Sequence, residues 1–166
     1  MCEYCGCQSL AAIDELTREH DEVVRLISRL RPAHQDGDVA RMARIACEIT
    51  TVLGPHTRVE EHGLFPAMAV DFPEQIAVLE AEHRGIEAVL AEAAAGAPPT
   101  DPTWPERLME AMALLRHHIL KEQDGVFPAA LATLGTEEWE AVEKARAEAG
   151  SAASRPTARP GPEEPR

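Results

Sequence analysis

His56-Thr-Arg-Val-Glu60-Glu-His-Gly-Leu-Phe-Pro66 is met a second time, altered, as His118-Ile-Leu-Lys-Glu122-Gln-Asp-Gly-Val-Phe-Pro128. Aligned over thirteen positions, Pro55 to Ala67 against His117 to Ala129, the copies share six identities: the His, the first Glu, the Gly, the Phe, the Pro and the Ala. A shorter piece precedes each copy, Leu16-Thr-Arg-Glu19-His20 and Leu79-Glu-Ala-Glu82-His83. The separations nearly agree, 36 residues from His20 to His56 and 35 from His83 to His118. Matched pieces at matched separations mark an internal repeat. Each half supplies a His on one segment and a His-xxx-Glu pair on the next.

Around these pieces the apolar residues recur at helical spacing. The pattern predicts a first helix from about Ser9, a suitable N-cap, to Leu30, with Ile13, Leu16, Val23 or Val24, Ile27 and Leu30 inward. A second runs from an Asp38 cap to about Met68 through Ile45, Ile49 and Val52. Gly54-Pro55 predicts a kink or break within it, because Pro removes a helical hydrogen bond and clashes with the preceding turn. Phe65-Pro66 predicts a further bend. A third helix spans about Pro73 to Ala95, with Ile76, Leu79, Ile86 and Leu90 inward, and a fourth about Thr103 to Leu131, with Leu108, Met112, Leu115 and Ile119. A short fifth opens at Thr136 and ends by Gly150. The expected fold is all-α: an up-down-up-down four-helix bundle with a short C-terminal fifth helix. In domain terms, residues 1–8 are a Cys-containing arm, 9–149 the bundle, and 150–166 a tail with no large apolar residue, expected to be disordered.

The chain has 166 residues, 45% of them hydrophobic but only 4% aromatic, which suits one helical domain with a real core. Sixteen basic against 29 acidic residues give a net charge of -13. That balance argues against nucleic acid, whose phosphates need a basic face. No run approaches the ~20 apolar residues that cross a bilayer, so no membrane is expected. Met1 to Cys7 lack the basic start and apolar stretch of a signal peptide, and the default expectation is a cytoplasmic protein with reduced Cys.

His20 falls between Leu16 and Val24, and His83 between Leu79 and Ile86. His56 follows Val52, with Glu60 a turn on; His118 follows Leu115, with Glu122 a turn on. Residues three or four apart share a helix face, so all six stand where the period asks for Leu or Ile. A buried polar group without a partner costs roughly 1–3 kcal/mol, against a total stability of about 5–15 kcal/mol. A metal centre would satisfy all six at once. Imidazole and carboxylate suit a first-row transition ion. Six ligands exceed a closed tetrahedral zinc site and fit two octahedral ions bridged by carboxylates, with positions left for solvent or a small molecule. The plainer alternative, six separately satisfied core histidines and carboxylates, does not account for the repeat.

The pattern resembles the hemerythrin-like, or HHE cation-binding, family over about residues 10 to 135. The resemblance implies a four-helix bundle, two non-haem Fe ions and oxygen-related chemistry. It makes His20, His56, His83 and His118 the imidazole ligands, and Glu60 and Glu122 the carboxylates that bridge the irons. Oxygen-carrying members have five histidines, two of them four apart on the third helix. Here the position four after His83 is Glu87, a replacement ligand or simply a solvated residue. The carriers also place a carboxylate five after their last His, and His117 stands five before Glu122. The repeat instead aligns His118 with His56 and leaves His117 as a candidate behind the ligands. The coordination therefore resembles the carboxylate-richer branch, which argues against plain oxygen carriage.

Cys2, Cys5 and Cys7 form a candidate second metal site, one ligand short of structural zinc, with His62 or a partner chain able to complete it; the alternative is an unstructured arm. Glu61 and His62 are candidates to orient ligands or move protons, or lie in solvent at the helix edge. His34 reads as an exposed turn residue, Cys47 as a small core residue, and Phe65 and Phe127 as symmetric caps on the core.

The leading function is binding or sensing of a small oxidant (oxygen, peroxide or nitric oxide) at a di-iron centre, with a protein redox or signalling partner. The alternatives are a di-iron oxidoreductase that decomposes peroxide or nitric oxide, and a non-catalytic metal store or structural zinc bundle. A ferritin-like site ranks lower, since that class spaces Glu-x-x-His.

Overall fold

In the computed structural model, which describes residues 4–96, 98 and 100–153, every regular element is helical. The chain folds as α1 (Tyr4–Gln35), α2 (Val39–Val59), α3 (Phe65–Met68), α4 (Pro73–Ala94), α5 (Trp104–Lys121), α6 (Phe127–Thr133) and α7 (Thr136–Ala153). A π turn, Glu60–Leu64, joins α2 to α3, and another, Glu122–Val126, joins α5 to α6. The four long helices close a ring: α1 packs on α2, α2 on α4, α4 on α5, and α5 back on α1. The fold is the expected all-α bundle with a short C-terminal helix.

The boundaries differ from expectation in instructive ways. Helix α1 begins at Tyr4, so Ser9 lies inside it and is no cap. It also runs through Pro32 and stops at Gly37, whose φ of +64° suits a residue without a side chain. Asp38 then caps α2, its Oδ1 accepting from the Arg41 N–H at 2.9 Å. His34 is not idle in that corner; its Nε2 meets Glu106 at 2.6 Å, tying the end of α1 to the start of α5. Helix α7 continues to Ala153, and residues 154–166 of the expected tail lie outside the described residues.

Helix α2 passes Gly54-Pro55 without a break. The irregularity comes five residues later. In a continuous α-helix the Pro66 ring would clash with the carbonyl of His62. The chain widens instead: the Phe65 N–H donates to the Glu60 carbonyl, an i→i−5 bond. The second copy does the same ahead of Pro128, with the Phe127 N–H donating to the Glu122 carbonyl. The repeated sequence therefore yields a repeated turn.

The core comes in two parts. One joins Val23, Leu30, Ile45, Ile49, Ile86, Trp104 and Leu115 among others. The second joins Leu16, Val59, Phe65, Leu79, Phe127, Trp139 and Val142. On α1 the order is Leu16, His20, Val23; on α4 it is Leu79, His83, Ile86. The polar layer is thus enclosed between two apolar ones. Cys47 is exposed and not a core residue, because Ile45, Ala46 and Ile49 take the inner face.

Helix α7 covers the first π turn and not the second. A Cβ at Gly63 would stand 2.9 Å from Val142 Cα and 3.2 Å from Ala145 Cβ, whereas Gly125, its repeat counterpart, has nothing within 4 Å. The groove beside Gly125 stays open as an apolar cavity of about 550 Å³ lined by Met68, Phe72, Ile76, Leu79 and Val126 among others. Gly63→Ala is therefore expected to lift α7 and cost about 1–3 kcal/mol in urea unfolding. Gly125→Ala should be neutral or mildly stabilising, since Ala outranks Gly in helices by up to about 1 kcal/mol. Equal effects at both positions would refute this docking role for Gly63.

Candidate metal centre

Each helix of the ring brings one imidazole to the layer, and the two π turns bring the carboxylates. Placing Glu60 and Glu122 at the first residue of a π turn keeps them one turn beyond His56 and His118 on the same face. Burial is nearly complete: His20 1%, His56 2%, His118 1%, and Glu60 and Glu122 0% exposed. His83 is buried as well.

Their atoms fall into two groups that share both carboxylates. His20, His56, Glu60 and Glu122 each offer one ligand atom within 4.8 Å of the others, and so do Glu60, His83, His118 and Glu122. The individual approaches show how the sharing works. Glu60 turns Oε1 to His56 Nε2 at 3.1 Å and Oε2 to His83 Nε2 at 3.3 Å. Glu122 turns Oε2 to His20 Nε2 at 3.1 Å and Oε1 to His118 Nε2 at 2.9 Å. Each carboxylate thus spans the two groups.

These close approaches lack hydrogen-bond alignment. Both oxygens of Glu60, both oxygens of Glu122, both nitrogens of His20 and Nε2 of His118 are buried with no hydrogen-bond partner. Buried polar atoms are ordinarily satisfied, and lone pairs converging on one point are what a cation requires. The residues present therefore fit a metal ion by an observation independent of the repeat.

The electrostatics agree. Burial pulls the His56 imidazole down, yet the Glu60 carboxylate and the hydrogen bond with Glu19 outweigh it and push it up to about 10. His83 likewise loses to burial and gains more from Glu60 and Glu61, reaching about 9. Burial raises the Glu60 carboxyl, and His56 and His83 more than reverse this, leaving it below the ordinary range. In the metal-free chain, protons on His56 and His83 offset the buried carboxylate charge.

Behind the imidazoles stands a ring of carboxylates that the sequence reading largely missed. His56 Nδ1 meets Glu19 at 2.8 Å, His83 Nδ1 meets Glu61 at 2.9 Å, and His118 Nδ1 meets Glu82 at 2.8 Å. Arg146 of α7 grips both oxygens of Glu19, at 2.7 and 2.9 Å, and Lys121 donates to Glu82. Glu61 was a candidate orienter; Glu19 and Glu82 were not. Their signal was present, since Glu-His is common to both upstream pieces, as Glu19-His20 and Glu82-His83. Each Glu supports the histidine of the following segment, not its chain neighbour.

Phe65 stacks on the His83 ring at 5.6 Å between centroids, and Phe127 on His20 at 5.5 Å. They contact the layer directly as well as filling the core beyond it. Glu87 and His117 are exposed and belong to neither group: on α4 and α5 the inner positions fall to Ile86 and His118. His62 is exposed too. Cys2 and the side chain of Cys5 lie outside the described residues, and Cys7 is exposed. Among the described residues no helix is long and apolar enough to cross a membrane.

A helical bundle enclosing a buried His/Glu layer, with lone pairs aimed at two shared points, is a cation-binding bundle. The model of the hemerythrin HHE cation-binding domain matches residues 11–130, and the chain belongs to that family. Searches of curated proteins and of solved structures each found no match.

Proposed function

We propose that the layer holds two iron ions and that the protein binds or senses a small oxidant there. The observation that carries this reading is the sharing of Glu60 and Glu122, whose four oxygens each meet a different imidazole, one oxygen of each carboxylate in either group. One position takes His20, His56 and one oxygen from each carboxylate; the other takes His83, His118 and the remaining oxygens. Four protein atoms per ion would be fewer than a first-row transition ion commonly takes, and would leave room for a small molecule. Two such ions, when bound, supply a redox-active site with room for oxygen, peroxide or nitric oxide.

The chain's own residues define that site. Glu60 and Glu122 set the spacing of the two positions. Glu19, Glu61 and Glu82 stand at Nδ1 and so leave Nε2 as the atom that would face an ion once its proton is displaced. Phe65, Phe127 and the two apolar layers exclude water and strengthen every electrostatic interaction inside.

Metal analysis and an ultraviolet-visible spectrum of natively purified protein test this reading. About two irons per chain are expected, with a near-ultraviolet band that shifts when peroxide or nitric oxide is added. Zinc in place of iron, or a spectrum indifferent to both, would sink the redox reading. Sustained turnover without bleaching would move the assignment to an oxidoreductase.

A further inference from the structure

The two halves are not equivalent behind the imidazoles. His56, His83 and His118 each have a carboxylate at Nδ1, within 2.8 to 2.9 Å. His20 has none: its Nδ1 is buried and without a hydrogen-bond partner. The repeat explains the gap. Glu61, which supports His83, corresponds to Gln123 in the second copy. A carboxylate there would complete the set, but Gln123 is neutral and makes no bond to His20 Nδ1.

The consequence falls unequally on the two positions. The group of His83 and His118 has both imidazoles backed by carboxylates, whereas the group of His20 and His56 has one. A carboxylate behind a ligating imidazole fixes its tautomer, holds the ring in place and raises its basicity, and losing one typically costs 10–100-fold in metal affinity. Glu60 and Glu122 serve both positions and cannot create the difference. Resting on the two-ion reading above, we infer that the positions fill in order. The His83–His118 position binds first and tightly. The His20–His56 position binds second, roughly 10–100-fold more weakly, and is the exchangeable one. Residue 123 sets that gap.

Titration of the metal-free full chain with cobalt(II), followed by calorimetry and by the visible cobalt bands, tests the inference. Two steps are expected, about 10–100-fold apart. His20→Ala should delete the weak step and keep the tight one, and His83→Ala should do the reverse. Gln123→Glu should tighten the weak step alone and draw the two together. Glu61→Gln should weaken the tight step alone, a change in the opposite direction that does not depend on how Gln123→Glu folds. A general loss of stability would move both steps together and would not reproduce this split. Two ions of equal affinity, or loss of the tight step in His20→Ala, would overturn the order of filling and leave the two-ion reading standing. Cobalt failing to bind in the wild-type chain would overturn the two-ion reading and this inference with it.

Discussion

Glu60→Ala combined with Glu122→Ala is expected to abolish metal binding, taking the chain from about two ions to none. Each single variant removes one ligand from both positions, so the double variant leaves each with two imidazoles and no anion. Two neutral nitrogens are too few for a stable site of the usual transition ions. The helices should survive, because both apolar layers are untouched and neither carboxylate takes part in them. The paired Gln variants, which keep the side-chain volume, separate loss of charge from loss of packing. Metal content by elemental analysis, beside far-ultraviolet circular dichroism, reads both quantities. Unchanged metal content in a folded double variant would remove Glu60 and Glu122 from the centre.

The second large effect is a reversal of pH dependence between the metal-free and metal-loaded protein. His56 and His83 are raised to about 10 and about 9 in the folded metal-free chain, against about 6.5 when unfolded. The stability they contribute is complete below the unfolded value and disappears as pH climbs through the folded ones. Glu60 is depressed, so its contribution is present above the ordinary carboxylate value and is lost on acidification. The metal-free chain should therefore be most stable at mildly acidic pH, and its melting temperature should fall from pH 7 toward 10. A metal needs those nitrogens bare, so loading releases their protons. Apparent affinity should then rise about tenfold per pH unit for each proton displaced. Thermal melts across pH 6 to 10, with chelator and with metal, check the crossing. A metal-free melting temperature that rises over that range would contradict the proton balance assigned to the layer.

Much of this arrangement was legible because two periodicities coincide. His20, His56, His83 and His118 are in phase with the apolar stripes, and the stripes repeat with the motif. What escaped depended on which helix lies beside which. Glu19 on α1 lies 127 residues from Arg146 on α7, which secures it, and nothing in either local pattern joins them. Gly63 and Gly125 look alike in the repeat; only the packing of Val142 and Ala145 makes one of them indispensable. Phe65-Pro66 announced a bend, and Pro128 was read as lying within an unbroken fourth helix; that both segments widen into π turns instead depended on where the core held the flanking residues. Cys47 was misplaced for a local reason: two positions on from Ile45 is the opposite side of a helix.

The widened turns also make the spacing between Glu and Phe a matter of counting. On an α-helix a residue five positions along is rotated roughly 140° from the first. Closing the turn with an i→i−5 bond brings it back toward the same side, which is how Phe65 reaches the ring of His83 and Phe127 that of His20. Losing one residue between Glu60 and Phe65 would leave the Phe four positions along an ordinary helix, about 40° round from the Glu and still on its side, but would set the Pro66 ring against the carbonyl four residues before it. What the repeat keeps constant there is as much an interval as a set of side chains.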